Sequence, residues 1–250
     1  MSDKIYLSVV IPAYNEVHNI KSGALKEVYD YLKAQDYSWE ILIVDDGSTD
    51  DTALLASSFS QKHAGVRLMK EPHRGKGGTV IAGMLTAKGK YVLFTDMDQA
   101  TPIDQIERFL PKFKEGYDVV IGSRAGREGA PLIRKLTAIG FALFRAVILR
   151  LPYKDTQAGF KAFKKEAAEA IFSKMKNLLE KREEGSSLSA GFDTEMLYLA
   201  RKMKFRTAEV PIKWHYKEGT KKNIIKESWI GFKGVIAVRL KALMGYYKLK

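Results

Sequence analysis

Along the first 125 residues, short apolar runs are interleaved with longer stretches whose apolar positions recur every three to four residues. The runs at 7–11, 39–45, 66–70, 90–95 and 118–122 read as strands, and the stretches near 19–33, 49–62, 77–87 and 104–114 read as helices. Ser48 or Thr49 is placed to cap the second helix, with Asp50 and Asp51 in its first turn, where the helix dipole favours negative charge. This alternation predicts an α/β chain with a mostly parallel, Rossmann-like sheet and helices on both faces. Right-handed crossovers would then gather ligands at the carboxyl ends of the strands.

The pattern changes after residue 125. Residues 131–151 predict one long helix, with Leu132, Leu136, Ile139, Leu143 and Val147 on a single stripe and basic residues elsewhere, Arg134 and Arg145 sharing nearly one azimuth. Residues 224–247 are apolar and aromatic but punctuated by Lys226, Lys233, Arg239 and Lys241. Both segments read as amphipathic interface helices whose cations reach for lipid phosphates, with ordinary packing against the sheet as the alternative. Residues 181–191 read as a loop.

Charge sharpens this division. The net charge is +13, but residues 1–100 hold 11 basic and 13 acidic side chains, residues 101–200 hold 17 and 13, and residues 201–250 hold 14 and 3. The basic character is therefore a C-terminal property and suggests an anionic partner. The chain has no cysteine, which excludes disulfides, thiolate metal sites and thiol nucleophiles. The N-terminus shows no secretory signal, and no apolar run approaches the roughly 18 residues that cross a bilayer. The expectation is a soluble or peripheral protein.

Three polar clusters fall at predicted strand ends. Tyr91-Val92-Leu93-Phe94-Thr95-Asp96-Met97-Asp98 closes an apolar run with carboxylates at i and i+2, which extended backbone points to one side. Such a pair suits a hard cation, Mg²⁺ or Mn²⁺, bridging to a diphosphate, although acidic pairs also occur in solvated turns. Pro12-Ala13-Tyr14-Asn15-Glu16 offers a flat ring and an acceptor to a nucleobase, and Asp45-Asp46-Gly47-Ser48 offers a carboxylate to an imide N–H or a ribose hydroxyl. Arg74-Gly75-Lys76-Gly77-Gly78-Thr79 opens a helix with glycines and free N–H groups that suit an anion. It fits neither the Walker loop nor the dinucleotide fingerprint, where Val80 would have to be glycine.

In order, these segments resemble family 2 glycosyltransferases, which adopt the GT-A fold and use a nucleotide-diphosphate sugar. The likeness continues through Gly122-Ser123-Arg124, Asp155-Thr156-Gln157-Ala158-Gly159-Phe160-Lys161, Phe192-Asp193-Thr194-Glu195 and Glu218-Gly219-Thr220-Lys221. Within the family the chain is most similar to the dolichyl-phosphate hexosyltransferases, and the 155–161 string leans toward the glucosyl branch.

The resemblance implies that Pro12, Ala13, Tyr14, Glu16, and Asp45 or Asp46 hold the nucleoside, with Lys76 beside the phosphates. It implies that Asp96 and Asp98 bind the metal, that Arg124 and Arg134 grip the acceptor phosphate, and that Lys221 closes over the diphosphate. Asp193 is expected to orient a sugar hydroxyl or the acceptor, or else to cap its helix. Where glucosyl relatives continue the metal motif with Gly-Ala-Thr, this chain has Gln99-Ala100-Thr101, making Gln99 a candidate third ligand.

The expected divisions are a nucleotide-sugar half (1–125), an acceptor half (126–222) and a basic amphipathic interface helix (223–250). The expected activity is inverting transfer of a hexose, glucose from UDP-glucose being favoured, onto a polyprenyl or dolichyl phosphate at the cytoplasmic face of a membrane. A phosphate monoester is largely dianionic at neutral pH, its second pKa being about 6, so no general base is required. Accordingly His18, His63, His73 and His215 are expected to be structural or surface residues. The alternatives are mannosyl transfer from GDP-mannose, or a silent peripheral membrane or RNA-binding module. No RNA-binding aromatic motif supports the last, and no nucleic-acid partner is expected.

Overall fold

The computed structural model describes residues 4–124, 132–180, 191–215 and 224–248, with side chains in the two long late helices described at 139–149, at 229 and from 231 onward. The strands are β1 (Leu7–Ala13), β2 (Trp39–Asp45), β3 (Val66–Lys70), β4 (Tyr91–Thr95), β5 (Val119–Ser123), β6 (Phe160–Lys164) and β7 (Thr207–Pro211). The helices are α1 (Val17–Lys21), α2 (Ala24–Lys33), α3 (Thr52–Lys62), α4 (Gly75–Thr86), α5 (Leu110–Lys114), α6 (Leu132–Leu149), α7 (Lys165–Glu180), α8 (Phe192–Lys202) and α9 (Ile224–Leu243), with a 3-10 segment at Ile103–Arg108. The described strands form one sheet in the order β3-β2-β1-β4-β6-β5-β7, parallel throughout except that β6 runs against both neighbours.

Strand periodicity divides the core between the two faces. In β1, Val9 and Ile11 join Leu25, Val28 and Leu32 of α2 on one face, while Val10 joins Val80, Ile81 and Met84 of α4 on the other. The order of strands reverses beside β1, which lies between β2 and β4, and this switch opens the crevice in which a doubly wound sheet binds ligands. Gly83 sets how closely α4 approaches: a Cβ there would lie 2.4 Å from Val10 Cγ1 and 2.9 Å from Val44 Cγ2. That close seat carries the amino end of α4, with Lys76, to the rim of the crevice.

The predicted strands are all present, and the differences have local causes. Pro12 lies inside β1 instead of ending it. It is tolerated because β4 pairs with β1 only as far as Val10, so Pro12 needs no hydrogen bond on that side. The helix predicted over 19–33 breaks at Ser22-Gly23, where Gly23 adopts a φ of 96°. The second predicted helix starts at Thr52, not at 49, and neither Ser48 nor Thr49 caps it. Instead the Thr49 N–H donates to Asn15 Oδ1 and Ser48 Oγ accepts from the Asn15 N–H, bracing the loops after β1 and β2 against each other. The predicted 104–114 helix is a 3-10 segment followed by α5, with Pro111 in its first turn.

Helices α6 and α9 pack together through Phe144 and Phe232, whose rings lie 4.4 Å apart. Ile139, Leu143 and Val147 stand on one exposed stripe, and Trp229, Ile236, Leu240 and Leu243 are likewise exposed. Arg145 departs from the expectation of a lipid-reaching cation. It is buried, its guanidinium donating to the Tyr153 carbonyl and lying over the Phe141 ring. Lys241 is also turned inward and donates to Glu195 at 2.8 Å. No helix among the described residues is long and apolar enough to cross a membrane.

Candidate active site

A cleft of about 410 Å³ opens at the carboxyl ends of β1, β2 and β4. Eight of the residues singled out from the sequence line it: Pro12, Ala13, Tyr14, Glu16, Asp46, Lys76, Asp96 and Asp98. Asp45 and Gln99 do not. Asp45 is buried, one oxygen accepting from the Ser48 N–H and the other without a partner among the described residues. Gln99, at a φ of 48°, folds back so that its amide donates to the Asp96 carbonyl at 2.7 Å. Its Oε1 is buried and unpartnered among the described residues.

His73, read from the sequence as structural or surface, also lines the cleft. Its ring stacks on Tyr14 at 4.3 Å, and its Nδ1 lies 3.0 Å from Asp46 Oδ2. The other Asp46 oxygen accepts from the Arg74 N–H at 2.8 Å. Asp46 thus fastens the turn before α4 to the end of β2. One signal could have found His73: it stands three residues before Lys76 in a turn already marked by its glycines.

Asp96 and Asp98 both line the cleft, although they follow β4 and Met97-Asp98 forms a turn in place of the extended backbone that their spacing suggests. Asp98 Oδ1 accepts from the Ala100 N–H at 2.9 Å, and Asp96 Oδ1 lies 2.5 Å from Lys76 Nζ. Burial would lower the Lys76 pKa, but Asp96 and then Asp193 outweigh it and hold the ammonium charged above its ordinary range. Burial raises the Glu16 pKa, with Asp98 and Asp96 adding to the effect. Behind Asp96 sits Gly159, where a Cβ would fall 1.9 Å from Asp96 Oδ2.

Hard carboxylate oxygens on one rim, with no side-chain carbon behind Asp96, fit a divalent cation of the Mg²⁺ or Mn²⁺ kind. Among the described residues no cluster of three or more His, Asp or Glu could hold it alone. Two carboxylates completed by substrate phosphates is an ordinary arrangement for Mg²⁺.

On the far side of β4 stands Arg124. Its Nε and Nη2 donate to the two oxygens of Asp155 at 2.6 and 3.0 Å, and its guanidinium lies over Trp214. Burial alone would raise the Asp155 pKa, but the Arg124 hydrogen bonds and charge hold it well below the usual carboxylate range. Asp193 sits in the first turn of α8 and does not cap it, the N-cap being Gly191 at a φ of 84°. Its charge is felt by both Lys76 and Arg124. Arg134 lies on α6 with its side chain outside the described residues, and Lys221 lies outside them altogether.

The family model of Glycosyl transferase family 2 matches residues 8–172. This chain belongs to glycosyl transferase family 2. Among its family 2 relatives, the dolichyl-phosphate beta-glucosyltransferase of Dictyostelium discoideum is 36% identical over 99% of this chain and 78% of that protein. The Saccharomyces cerevisiae and Homo sapiens proteins of the same name are 33% and 30% identical, each over 98% of this chain and 78% of its own length.

Solved structures of more distant likeness share the fold. Glucosyl-3-phosphoglycerate synthase from Mycobacterium tuberculosis, in complex with Mn²⁺, UDP and glucosyl-3-phosphoglycerate, superposes with a TM-score of 0.62 at 20% identity, over 96% of this chain and 80% of that one. The mannosyltransferase PcManGT from Pyrobaculum calidifontis, in complex with GDP-Man and Mn²⁺, gives 0.62 at 18% identity, over 97% and 65%. The GT-A fold expected from the sequence is therefore the fold observed.

Proposed function

We propose that this family 2 glycosyltransferase moves glucose from UDP-glucose, with inversion, onto the phosphate of a polyprenyl or dolichyl lipid at a membrane surface. The observation that carries the reading is the convergence of Asp96, Asp98 and Lys76 on the cleft bounded by the β1 and β2 loops, in a chain 30 to 36% identical to dolichyl-phosphate beta-glucosyltransferases. Tyr14 and His73 form the wall for the base, and Asp46 keeps that wall in place. Asp96 and Asp98 would hold Mg²⁺ or Mn²⁺, which supplies positive charge to the leaving diphosphate. Lys76 is a second cation within reach of the same group, and Lys221 is proposed to join it.

Arg124 is held by Asp155 through Nε and Nη2, no hydrogen bond among the described residues engages its Nη1, and it is proposed to take an acceptor phosphate there with Arg134 as its partner. The acceptor oxygen is already anionic, so the protein needs to position it and neutralise charge, not deprotonate it. The exposed stripes of α6 and α9, with Lys233 and Arg239 exposed beside them, are proposed to lie in the lipid interface. Residues 1–125 and 126–222 are proposed as the nucleotide-sugar and acceptor halves. Purified protein incubated with labelled UDP- and GDP-sugars, dolichyl phosphate and Mn²⁺ should put label from UDP-glucose into the organic phase, and Asp98→Ala should abolish this. Label entering that phase from GDP-mannose alone would overturn the choice of sugar.

A further inference from the structure

Lys161 is fully buried in the middle of an apolar strand, Phe160-Lys161-Ala162-Phe163. An ammonium without partners there would be very costly, and an apolar residue of similar volume would commonly serve stability as well or better. The partners of Lys161 are two pieces of the active site. Its Nζ donates to the Ala158 carbonyl and to Asp193 Oδ1, the latter at 2.6 Å, and sits 5.1 Å from the centre of the Phe94 ring. Ala158 leads into Gly159, the residue on which Asp96 rests. Asp193 lies where its charge reaches Lys76 on the nucleotide side and Arg124 on the acceptor side. With the diphosphate beside Lys76 and the acceptor phosphate beside Arg124, as proposed above, the hexose would be transferred between those two cations.

Asp193 keeps 27% of its side-chain surface exposed, and no hydrogen bond among the described residues engages its Oδ2. Helix capping does not account for it, because α8 starts without a side-chain cap. We infer that Lys161 is a positioning residue, fixing the Asp193 carboxylate so that its second oxygen accepts a hydroxyl of the hexose being transferred. Lys161 itself touches no substrate. This inference rests on the reading of the cleft as a nucleotide-sugar site.

The test separates the sugar from the nucleotide. Affinities for UDP and for UDP-glucose, both with Mn²⁺, are measured by calorimetry for the wild type, Lys161→Met, Lys161→Arg and Asp193→Asn, with melting temperatures as a check on folding. Lys161→Met and Asp193→Asn are expected to weaken UDP-glucose by about 10- to 100-fold, the range for a hydrogen bond to a charged group, while UDP stays within about twofold. Lys161→Arg is expected to recover most of the loss, and the double variant to be no worse than Asp193→Asn.

Equal weakening of UDP and UDP-glucose, or no weakening of either, overturns the inference and leaves the assigned function standing. Should Lys161→Met fail to fold, Asp193→Asn and Lys161→Arg decide between the same outcomes. A wild-type protein that binds neither ligand defeats the underlying site and this inference together.

Discussion

Gly159→Ala is the most direct probe of Asp96 as the proposed metal carboxylate. A Cβ at this position would lie 1.9 Å from Asp96 Oδ2, 2.4 Å from its Cγ and 2.7 Å from Oδ1. Since contacts under 3.0 Å are essentially never seen for real Cβ atoms, the carboxylate has to retreat by about 1.1 Å or the 155–160 segment has to shift by as much. Displacing a catalytic group by about 1 Å costs about 100-fold in rate, which corresponds to about 2.7 kcal/mol of lost transition-state stabilisation. The side chain of Asp96 is 37% exposed and can swing toward solvent, so the loss is expected in metal binding and turnover more than in folding.

The assay is Mn²⁺-dependent UDP binding by calorimetry, together with glucosyl transfer to dolichyl phosphate and a thermal melt. Gly140→Ala is the matched control, because a Cβ on that exposed helical residue meets nothing within 4 Å among the described residues. It should leave binding unchanged and stabilise the helix by up to about 1 kcal/mol. If Gly159→Ala bound Mn²⁺ and UDP like the wild type and turned over normally, the placement of the metal against Asp96 would be wrong.

Asp155→Asn removes the anchor of Arg124 and is expected to cost about 2–4 kcal/mol at pH 7, read from urea midpoints. The Asp155 pKa is lowered on folding, so its contribution is fully present above the unfolded value of about 3.9 and is lost as pH falls below it. The gap between wild type and Asp155→Asn should accordingly narrow below about pH 4. Tyr247→Phe removes the buried hydroxyl that donates to Glu195, and should lower stability by about 1–2 kcal/mol in thermal melts while leaving UDP affinity unchanged. Leu143→Glu places a charge on the exposed stripe shared with Ile139 and Val147. It should weaken sedimentation with anionic vesicles at least about tenfold while UDP binding persists, and added salt should weaken the wild type in the same assay.

The half of the molecule that carries the cleft is legible from the sequence because its polar clusters sit where periodicity ends. An apolar run that stops at Thr95 marks the end of β4 and so brings Asp96 and Asp98 to the cleft, although the turn at Met97-Asp98 is not legible in it. Tyr14, Glu16 and Asp46 follow by the same logic. Where a charge is buried by a partner distant in sequence, the pattern fails. Phe160-Lys161-Ala162-Phe163 does not read as a core strand, because the carboxylate that accommodates its lysine, Asp193, lies 32 residues later. Arg145 looks like a lipid-facing cation on a helical wheel, yet the Tyr153 carbonyl and the Phe141 ring take it inward. β7 is short, half-buried and at the edge of the sheet, so its alternation is weak. Gln99 is a candidate ligand by position in the chain, and its left-handed backbone, with the amide nitrogen turned back onto the Asp96 carbonyl, is not legible in the sequence.

The reversed direction of β6 gives its two ends different tolerances. Parallel neighbours deliver their last residues to the chemistry, whereas this strand delivers its first, so Asp155 and Gly159 arrive before it and Lys164 departs at the opposite edge of the molecule. Extra residues spliced in after Lys164 would disturb the direct join to α7 and cost stability far from the chemistry, but a single residue inserted between Asp155 and Phe160 would shift the backing of one reactant's site and the brace of the other's at once. Attempts to exchange acceptor preference between relatives should therefore move residues 155–164 as one cassette.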